Sequence, residues 1–148
     1  AVTAYVFRAV LLRWSSQETR SVIDISLDRG IEEMVRDLRE AKQIQTVNND
    51  EIRFTQDQTT YYIYYLYNAN NSYPPSFNQS SYQLRKATLS GGISGTFTYG
   101  LGPIIITDVL PPPTSDLSIS GNIVTIDLST KRSDETIRSR TQVRPRNL

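Results

Sequence analysis

The chain has 148 residues, of which 38% are hydrophobic and 21% are charged, and its net charge at pH 7 is +1. This length suits one domain with a single modest core, and so small a net charge gives no general electrostatic attraction for nucleic acid. The sequence contains no cysteine and no histidine. Thiol nucleophiles, disulfides, Cys/His zinc sites and a histidine general base are therefore excluded.

The first segment, residues 1–14 (AVTAYVFRAVLLRW), would be apolar on nearly every side if it were helical. Such a helix suits a bilayer or a bundle of other helices. The segment is interrupted by Arg8 and Arg13, and it is shorter than the roughly 20 apolar residues that cross a bilayer. We therefore expect it to be the end of a longer membrane segment and to act in assembly. The candidate assembly residues are Val2, Val6, Ala9, Val10 and Leu12.

From about Ser21 the helical pattern becomes one-sided. Apolar residues recur at steps of three and four, which puts them on one stripe, and charged residues four positions apart form a solvated opposite face. The pattern predicts a helix over residues 1–46, about 65–70 Å long at 1.5 Å per residue, whose first part should protrude. The stripe consists of Ile23, Leu27, Ile31, Met34, Val35, Leu38 and Ala41.

Gly30 lies in the middle of this predicted helix. A glycine there costs about 1 kcal/mol relative to alanine. A bend or a close approach to another element would explain it, but simple tolerance is the interpretation that we favour.

The remainder of the chain reads as short strands separated by turns. Residues 51–56 and 59–67 alternate in a way that predicts a hairpin, and the second run (TTYYIYYLY) has the aromatic and β-branched residues of a half-buried strand. We expect one face of it to pack on the helix and the other to leave phenol hydroxyls at the surface. A stacking platform for bases or sugars is disfavoured, because no basic residue is interleaved with the rings.

Later segments follow the same scheme. Residues 91–102 (GGISGTFTYGLG) form a glycine-punctuated connector without the Gly-Lys-Ser/Thr end of a phosphate loop, so we interpret it as flexible turn chemistry. The clearest hairpin signal is a Gly121-Asn122 turn between two alternating runs. The other predicted strands cover residues 82–89, 104–110, 117–120, 123–128 and 136–143.

The last strand carries an outward row of arginines that forms a candidate basic interface. Clustered cations can contact DNA phosphates without regard to sequence. Asp134 and Glu135 lie close by, however, and a charged outer strand usually protects a sheet edge against aggregation. We favour the second interpretation. The row consists of Arg138, Arg140, Arg144 and Arg146.

Two further segments contain residues that could serve catalysis or metal binding. A carboxylate pair such as Asp24 and Asp28 could serve a glycosidase, but an exposed helix face raises no pKa for acid catalysis. The run Asn48-Asn49-Asp50-Glu51 offers oxygen ligands for calcium but lacks a glycine-containing EF-hand loop. We expect no catalytic residue, no metal and no cofactor.

Three segments together carry a resemblance to a known family. They are residues 31–44 (IEEMVRDLREAKQI), the strand pair within residues 52–65, and the terminal run Val143-Arg144-Pro145-Arg146-Asn147. In this organisation the chain resembles the type IV pilin-like proteins, in particular minor pilins and type II secretion minor pseudopilins of the J/W type. The resemblance implies an α+β, pilin-like fold in one domain over residues 1–148, with a spine helix over 1–46 packed on an antiparallel β-region over 51–148.

The function implied by this resemblance is that of a structural minor subunit of a type IV pilus or a type II secretion pseudopilus, not of an enzyme. Its partners would be sister pilin-like subunits, reached through the N-terminal helix, and the inner membrane. The protein would lie in the bacterial cell envelope with a periplasmic or extracellular domain. The alternative is a DNA-binding minor pilin of a competence-type system that uses the arginine-rich strand.

Overall fold

The computed structural model describes residues 14–73 and 76–148, and in the helix it describes side chains from residue 26 onward. This part of the chain contains one helix and eight strands. The helix is α1, Trp14–Arg39. The strands are β1 Gln43–Gln45, β2 Glu51–Thr55, β3 Tyr61–Tyr67, β4 Tyr82–Leu89, β5 Ile104–Val109, β6 Asp116–Ser120, β7 Ile123–Arg132 and β8 Glu135–Val143.

All the strand pairs are antiparallel and form one curled sheet. Strands β1 to β5 pair in chain order. One edge of the long strand β7 pairs with two strands: with β6 along Ile123–Asp127 and with β5 at Thr130. The other edge of β7 pairs with β8. The curl brings β6 back to the start of β2, where the Leu117 N–H donates to Asp50 Oδ1 at 3.2 Å. The result is a half-barrel.

The main core lies between this sheet and one stripe of α1. The helix contacts β5, β7 and β8, and its buried side chains recur at steps of three and four residues, as an amphipathic helix requires. From β7 the side chains of Val124, Ile126 and Leu128 are fully buried against the helix side of the sheet, because alternate residues of a strand share a face. The helix stripe consists of Leu27, Ile31, Met34 and Leu38.

The predicted length of the helix is wrong at its C-terminal end. The sequence predicts helix as far as residue 46, whereas α1 ends at Arg39 and residues 43–45 form β1. The Lys42 N–H donates to the Thr55 carbonyl at 2.7 Å, which begins the pairing of β1 with β2. Pairing with a preformed strand outweighs the weak local preference of these residues for a helix.

The predicted α+β pilin-like fold is also wrong. That prediction makes a long N-terminal helix the spine of the molecule, whereas the body of this chain is an eight-stranded antiparallel half-barrel to which the shorter α1 adds one apolar stripe. The residues expected to protrude, before Trp14, lie outside the described residues. Within the described ranges no helix is both long and apolar enough to cross a membrane.

The hairpins are the part of the fold that the pattern predicted. Strand β2 pairs with β3, and β6 pairs with β7 across the Gly121-Asn122 turn, both as expected. Gly121 has φ = 60°, a left-handed conformation that glycine adopts without a steric penalty. The β6–β7 register is therefore fixed by a local turn signal.

At Gly30 the helix α1 lies close to β5. The interpretation that a glycine is simply tolerated at this position of the helix is therefore wrong. A Cβ atom built on Gly30 would lie 2.5 Å from Ile106 Cδ1, and the Ile106 side chain is itself buried. The absence of a side chain at this position therefore lets the helix lie against the strand.

We predict that Gly30→Ala lowers the free energy of unfolding by about 1–2 kcal/mol, because the cost of overpacking exceeds the roughly 1 kcal/mol gain in helix propensity. Urea unfolding of the two proteins measures this difference. The control is the same substitution in an Ile106→Ala background, where the added methyl group has room and should be neutral or stabilising. Equal destabilisation in both backgrounds would contradict the close approach.

Candidate functional site

The tyrosine-rich strand β3 is covered on both of its faces, each by a different part of the chain. On the helix side, the Tyr64 hydroxyl donates to Asp37 Oδ2 at 2.7 Å, and Lys86 Nζ donates to the same oxygen at 2.7 Å. Lys86 also lies 4.9 Å from the centroid of the Tyr62 ring. Burial, reinforced by the hydrogen bond to Asp37, raises the pKa of Tyr64. This face therefore joins the helix to the sheet through one shared carboxylate.

The other face of β3 forms a second, smaller core under the glycine-punctuated connector. Ile63 and Tyr65 are buried there, with Tyr61, Tyr67, Phe97 and Tyr99 packed around them; Ala87 and Leu89 of β4 complete this cluster. The prediction that this face leaves its phenols at the surface is wrong for Tyr65, which is 1% exposed. The Tyr65 hydroxyl donates to the Leu101 carbonyl and accepts from the Gly100 N–H.

A buried ion pair fixes the connector to the sheet. Arg53 Nε donates to Glu51 Oε2 at 2.6 Å, and the two side chains are 2% and 1% exposed. Arg53 Nη1 also donates to the carbonyls of Ile93, at 3.2 Å, and Gly95, at 2.6 Å. The connector is thus held by specific hydrogen bonds, so the interpretation of residues 91–102 as merely flexible turn chemistry is wrong.

Tyr99 connects this ion pair to a row of aromatic rings. Its hydroxyl donates to Glu51 Oε1 at 2.6 Å and accepts from Asn48 Nδ2 at 2.8 Å. Its ring stacks on Tyr73 with centroids 4.5 Å apart, and Tyr73 stacks on Tyr67 at 5.5 Å. The Arg85 guanidinium lies 4.7 Å from the Tyr67 centroid, an arrangement that cation–π attraction favours.

Asn48, Tyr67, Tyr73 and Tyr99 help to line a pocket of about 520 Å³. That volume lies within the range of roughly 300–1,000 Å³ that is typical of small-molecule sites. The wall combines aromatic rings with side-chain amides, hydroxyls and connector backbone. The lining residues from β2, β3 and the loops are Val47, Asn48, Arg53, Tyr67, Asn71 and Tyr73, and those from the connector are Ser94, Gly95, Thr96, Phe97 and Tyr99.

The phenols at this pocket are hydrogen-bonding groups and not bases. Burial raises the pKa of Tyr73 to about 12. Burial, with a further contribution from the hydrogen bond to Glu51, also raises the pKa of Tyr99 to about 12. Both hydroxyls therefore stay protonated near neutral pH, where a general base would need a pKa close to 7.

Sequence reasoning missed this site because its parts come from separate segments. Arg85 and Lys86 are not interleaved with the tyrosines along the chain, but β4 puts them opposite Tyr65 and Tyr64 of β3. One usable signal was present. Phe97 and Tyr99 alternate with threonines in the connector, which is the pattern of an extended half-buried segment.

The structure tests neither the predicted assembly residues nor the predicted role of the arginine row, although it describes the surroundings of the arginines. Val2, Val6, Ala9, Val10 and Leu12 lie outside the described residues. Arg138, Arg140, Arg144 and Arg146 are all exposed on the outward side, as expected.

Three of these arginines lie beside carboxylates. Arg138 binds Asp127 with two hydrogen bonds of 2.9 and 2.7 Å, which lowers the pKa of Asp127. Arg140 Nε lies 3.9 Å from Asp127 Oδ2, and Arg146 Nη1 lies 3.4 Å from Glu40 Oε1. The Arg146 N–H also donates to the Arg39 carbonyl, satisfying a terminal carbonyl of α1. Two carboxylates, Asp127 and Glu40, therefore offset about half of the four positive charges of the row.

The remaining candidate residues do not converge on one site. Asp28 is exposed, and the side chain of Asp24 lies outside the described part. In the run from Asn48 to Glu51, Asn48 binds Tyr99, Glu51 binds Arg53, and Asp50 accepts from Leu117. Among the described residues there is no group of three or more acidic side chains that could hold a metal ion.

Asp50 instead faces Asp116 in a small pocket between the β1–β2 loop and β6. Burial raises the pKa of Asp50 to about 6. The hydrogen bond from Leu117 lowers this pKa, and the neighbouring Asp116 raises it further. Asp116 accepts from the Ser118 hydroxyl at 3.1 Å. Because two close carboxylates repel when both are charged, this contact favours the protonated form of Asp50.

In comparisons with protein-family models, curated proteins and solved structures, nothing matches this chain. The resemblance to pilin-like proteins is therefore wrong on two counts, since no pilin family model matches and the body of the protein is a half-barrel.

We predict that Arg53→Met lowers the free energy of unfolding by about 3–5 kcal/mol, because it leaves the Glu51 carboxylate buried without its partner. Chemical denaturation measures the loss. The matched double variant, Glu51→Leu with Arg53→Met, should recover much of it, since no charge then remains buried. A double variant as unstable as the single one would show that the connector contacts, and not the unpaired charge, account for the effect.

We predict that Asp50 contributes stability that grows as the pH falls from about 6 towards 3.8, because the folded state then binds a proton at Asp50 more tightly than the unfolded state does. Asp50→Asn should remove this contribution and stabilise the chain above pH 6. Asparagine also tolerates the left-handed φ of 56° at this position. Urea unfolding across this pH range gives the slope.

The control for the Asp50 experiment is Asp134→Asn, which changes an exposed carboxylate outside the pocket. This variant should keep the wild-type slope. An unchanged slope in Asp50→Asn would rule out Asp50 as its source.

Proposed function

We propose that this protein is a non-enzymatic structural subunit that joins a larger assembly through its N-terminal segment. The observation that carries the proposal is the use of the α1 stripe. From Leu27 to Leu38 the apolar side chains of the helix are buried against the protein's own sheet, so this part of the helix is committed to its own domain. The segment before Trp14 is also largely apolar. We assign this segment to contacts with partner subunits.

The chemistry of the side chains at the aromatic pocket supports a role other than catalysis. The buried carboxylate of Glu51 is neutralised by Arg53 at 2.6 Å, and Tyr73 and Tyr99 have pKa values of about 12. The sequence also has no histidine or cysteine. Proton transfer and covalent catalysis near neutral pH need groups that titrate or attack there.

The proposed partners are neighbouring subunits and a membrane, both reached through residues 1–14. Apolar side chains of this segment would be removed from water in the assembly, at about 25 cal/mol per Å². Membership of a pilus or a secretion pseudopilus depended on the family resemblance and is not part of the proposal. DNA binding by the arginine row has less support, because Arg138, Arg140 and Arg146 already lie beside carboxylates.

We predict that Val6→Asp in the full chain reduces its recovery in large complexes several-fold, because a carboxylate is costly where neighbouring apolar groups exclude water. The complexes are measured by chemical cross-linking in the producing cells followed by sedimentation. The melting temperature of the purified chain should be nearly unchanged.

The matched control is Thr98→Asp, which adds the same charge at an exposed position of the body and should leave both measurements unchanged. If Val6→Asp lowers the melting temperature of the isolated chain, the segment belongs to its own core and the assembly proposal is wrong.

A further inference from the structure

The pocket under the connector has aromatic walls but no free charge. Arg53 is the one charged side chain among its lining residues, and Glu51 balances that charge at 2.6 Å. The Arg53 donors are further engaged by the carbonyls of Ile93 and Gly95. An anionic ligand would therefore find no uncommitted cation in the wall, and a cationic ligand would find no uncommitted carboxylate.

The rest of the wall consists of aromatic rings and of side chains that both donate and accept hydrogen bonds. Phe97 and Tyr99 are half-buried, so part of each ring remains accessible, whereas the Tyr73 ring is stacked between Tyr67 and Tyr99. Asn48, Ser94 and Thr96 add an amide and two hydroxyls to the wall. The pocket therefore suits a neutral ligand that has both hydroxyl groups and an apolar face.

Carbohydrate combines these two properties. The axial C–H bonds on one face of a pyranose ring meet the electron-rich face of an aromatic ring favourably, while its hydroxyls both donate and accept hydrogen bonds as amides and side-chain hydroxyls do. Single-stranded nucleic acid also stacks on aromatic rings, but it requires a positively charged groove along its backbone, which these lining residues do not provide.

We propose that this pocket binds a neutral carbohydrate, with Phe97 and Tyr99 as its apolar wall and Asn48, Ser94 and Thr96 as hydrogen-bonding partners. The site is built from the sheet and its connector, and none of its lining residues belongs to the segment that we assign to assembly. Sugar binding and assembly can therefore succeed or fail independently.

The test is an NMR titration of the isotopically labelled full chain with three neutral trisaccharides: cellotriose, maltotriose and N,N′,N″-triacetylchitotriose. At least one should give saturable shifts at the backbone amides of Gly95, Phe97 and Gly100 and at the side-chain amide of Asn48, with a Kd between about 10 µM and 1 mM. A heparin trisaccharide and a short single-stranded oligothymidylate serve as anionic comparators and should bind more weakly.

A matched pair of variants locates the site. Thr96 lines the pocket and is exposed, so Thr96→Arg should fill the cavity without unfolding the chain; it should weaken sugar binding by about tenfold or more, or 1.4 kcal/mol. Thr98 is exposed but does not line the pocket, and Thr98→Arg should bind as the wild type does. If Thr96→Arg proves unfolded by its NMR spectrum, Ser94→Arg takes its place as the blocking variant.

Three results would overturn the proposal. The first is the absence of saturable shifts with all three sugars at about 10 mM, well above the Kd range that is expected. The second is an equal response of the blocking variant and the Thr98→Arg control. The third is tighter binding of either anionic comparator, which would show that the charge of the pocket, and therefore its ligand class, was wrongly assigned.

Discussion

The buried ion pair between Glu51 and Arg53 joins the sheet to the connector that covers it. Both residues come from β2, two positions apart, so their side chains lie on the same face of the strand. Glu51 receives the Tyr99 hydroxyl, while Arg53 holds the carbonyls of Ile93 and Gly95. Two charges with satisfied hydrogen bonds can be tolerated in a dry interior, whereas either one alone is costly. The aromatic pocket therefore depends on this pair.

Tyrosine suits β3 because both faces of this strand are covered by polar as well as apolar groups. A phenol ring buries a large apolar area and still needs a partner for its hydroxyl. On one face the Tyr64 hydroxyl donates to Asp37 of α1. On the other face the Tyr65 hydroxyl is hydrogen-bonded to the backbone of Leu101 and Gly100. The strand thus connects the helix and the connector through hydrogen bonds that aliphatic side chains could not make.

The two proposed activities are assigned to different residues of the chain and depend on different interactions. Assembly is assigned to residues 1–14, where burial of apolar surface provides the driving force. Sugar binding is assigned to a neutral pocket, where ring stacking and exchangeable hydrogen bonds provide the driving force. The arginine row of β8 and the residues that follow it serves neither in this scheme, because Arg138 binds Asp127 and the Arg146 N–H donates to the last carbonyl of α1.

The sequence by itself determined the features that depend on near neighbours along the chain: the β6–β7 hairpin at Gly121, the amphipathic stripe of α1 and the absence of histidine and cysteine chemistry. The end of α1 at Arg39, the contact of Gly30 with β5 and the grouping of Glu51, Arg53 and Tyr99 were decided only by the tertiary structure. Hydrophobic periodicity records which face of an element is buried, but it does not record what covers that face. Strand pairing and the curl of the sheet supplied that information, because they bring together residues that lie far apart in the chain.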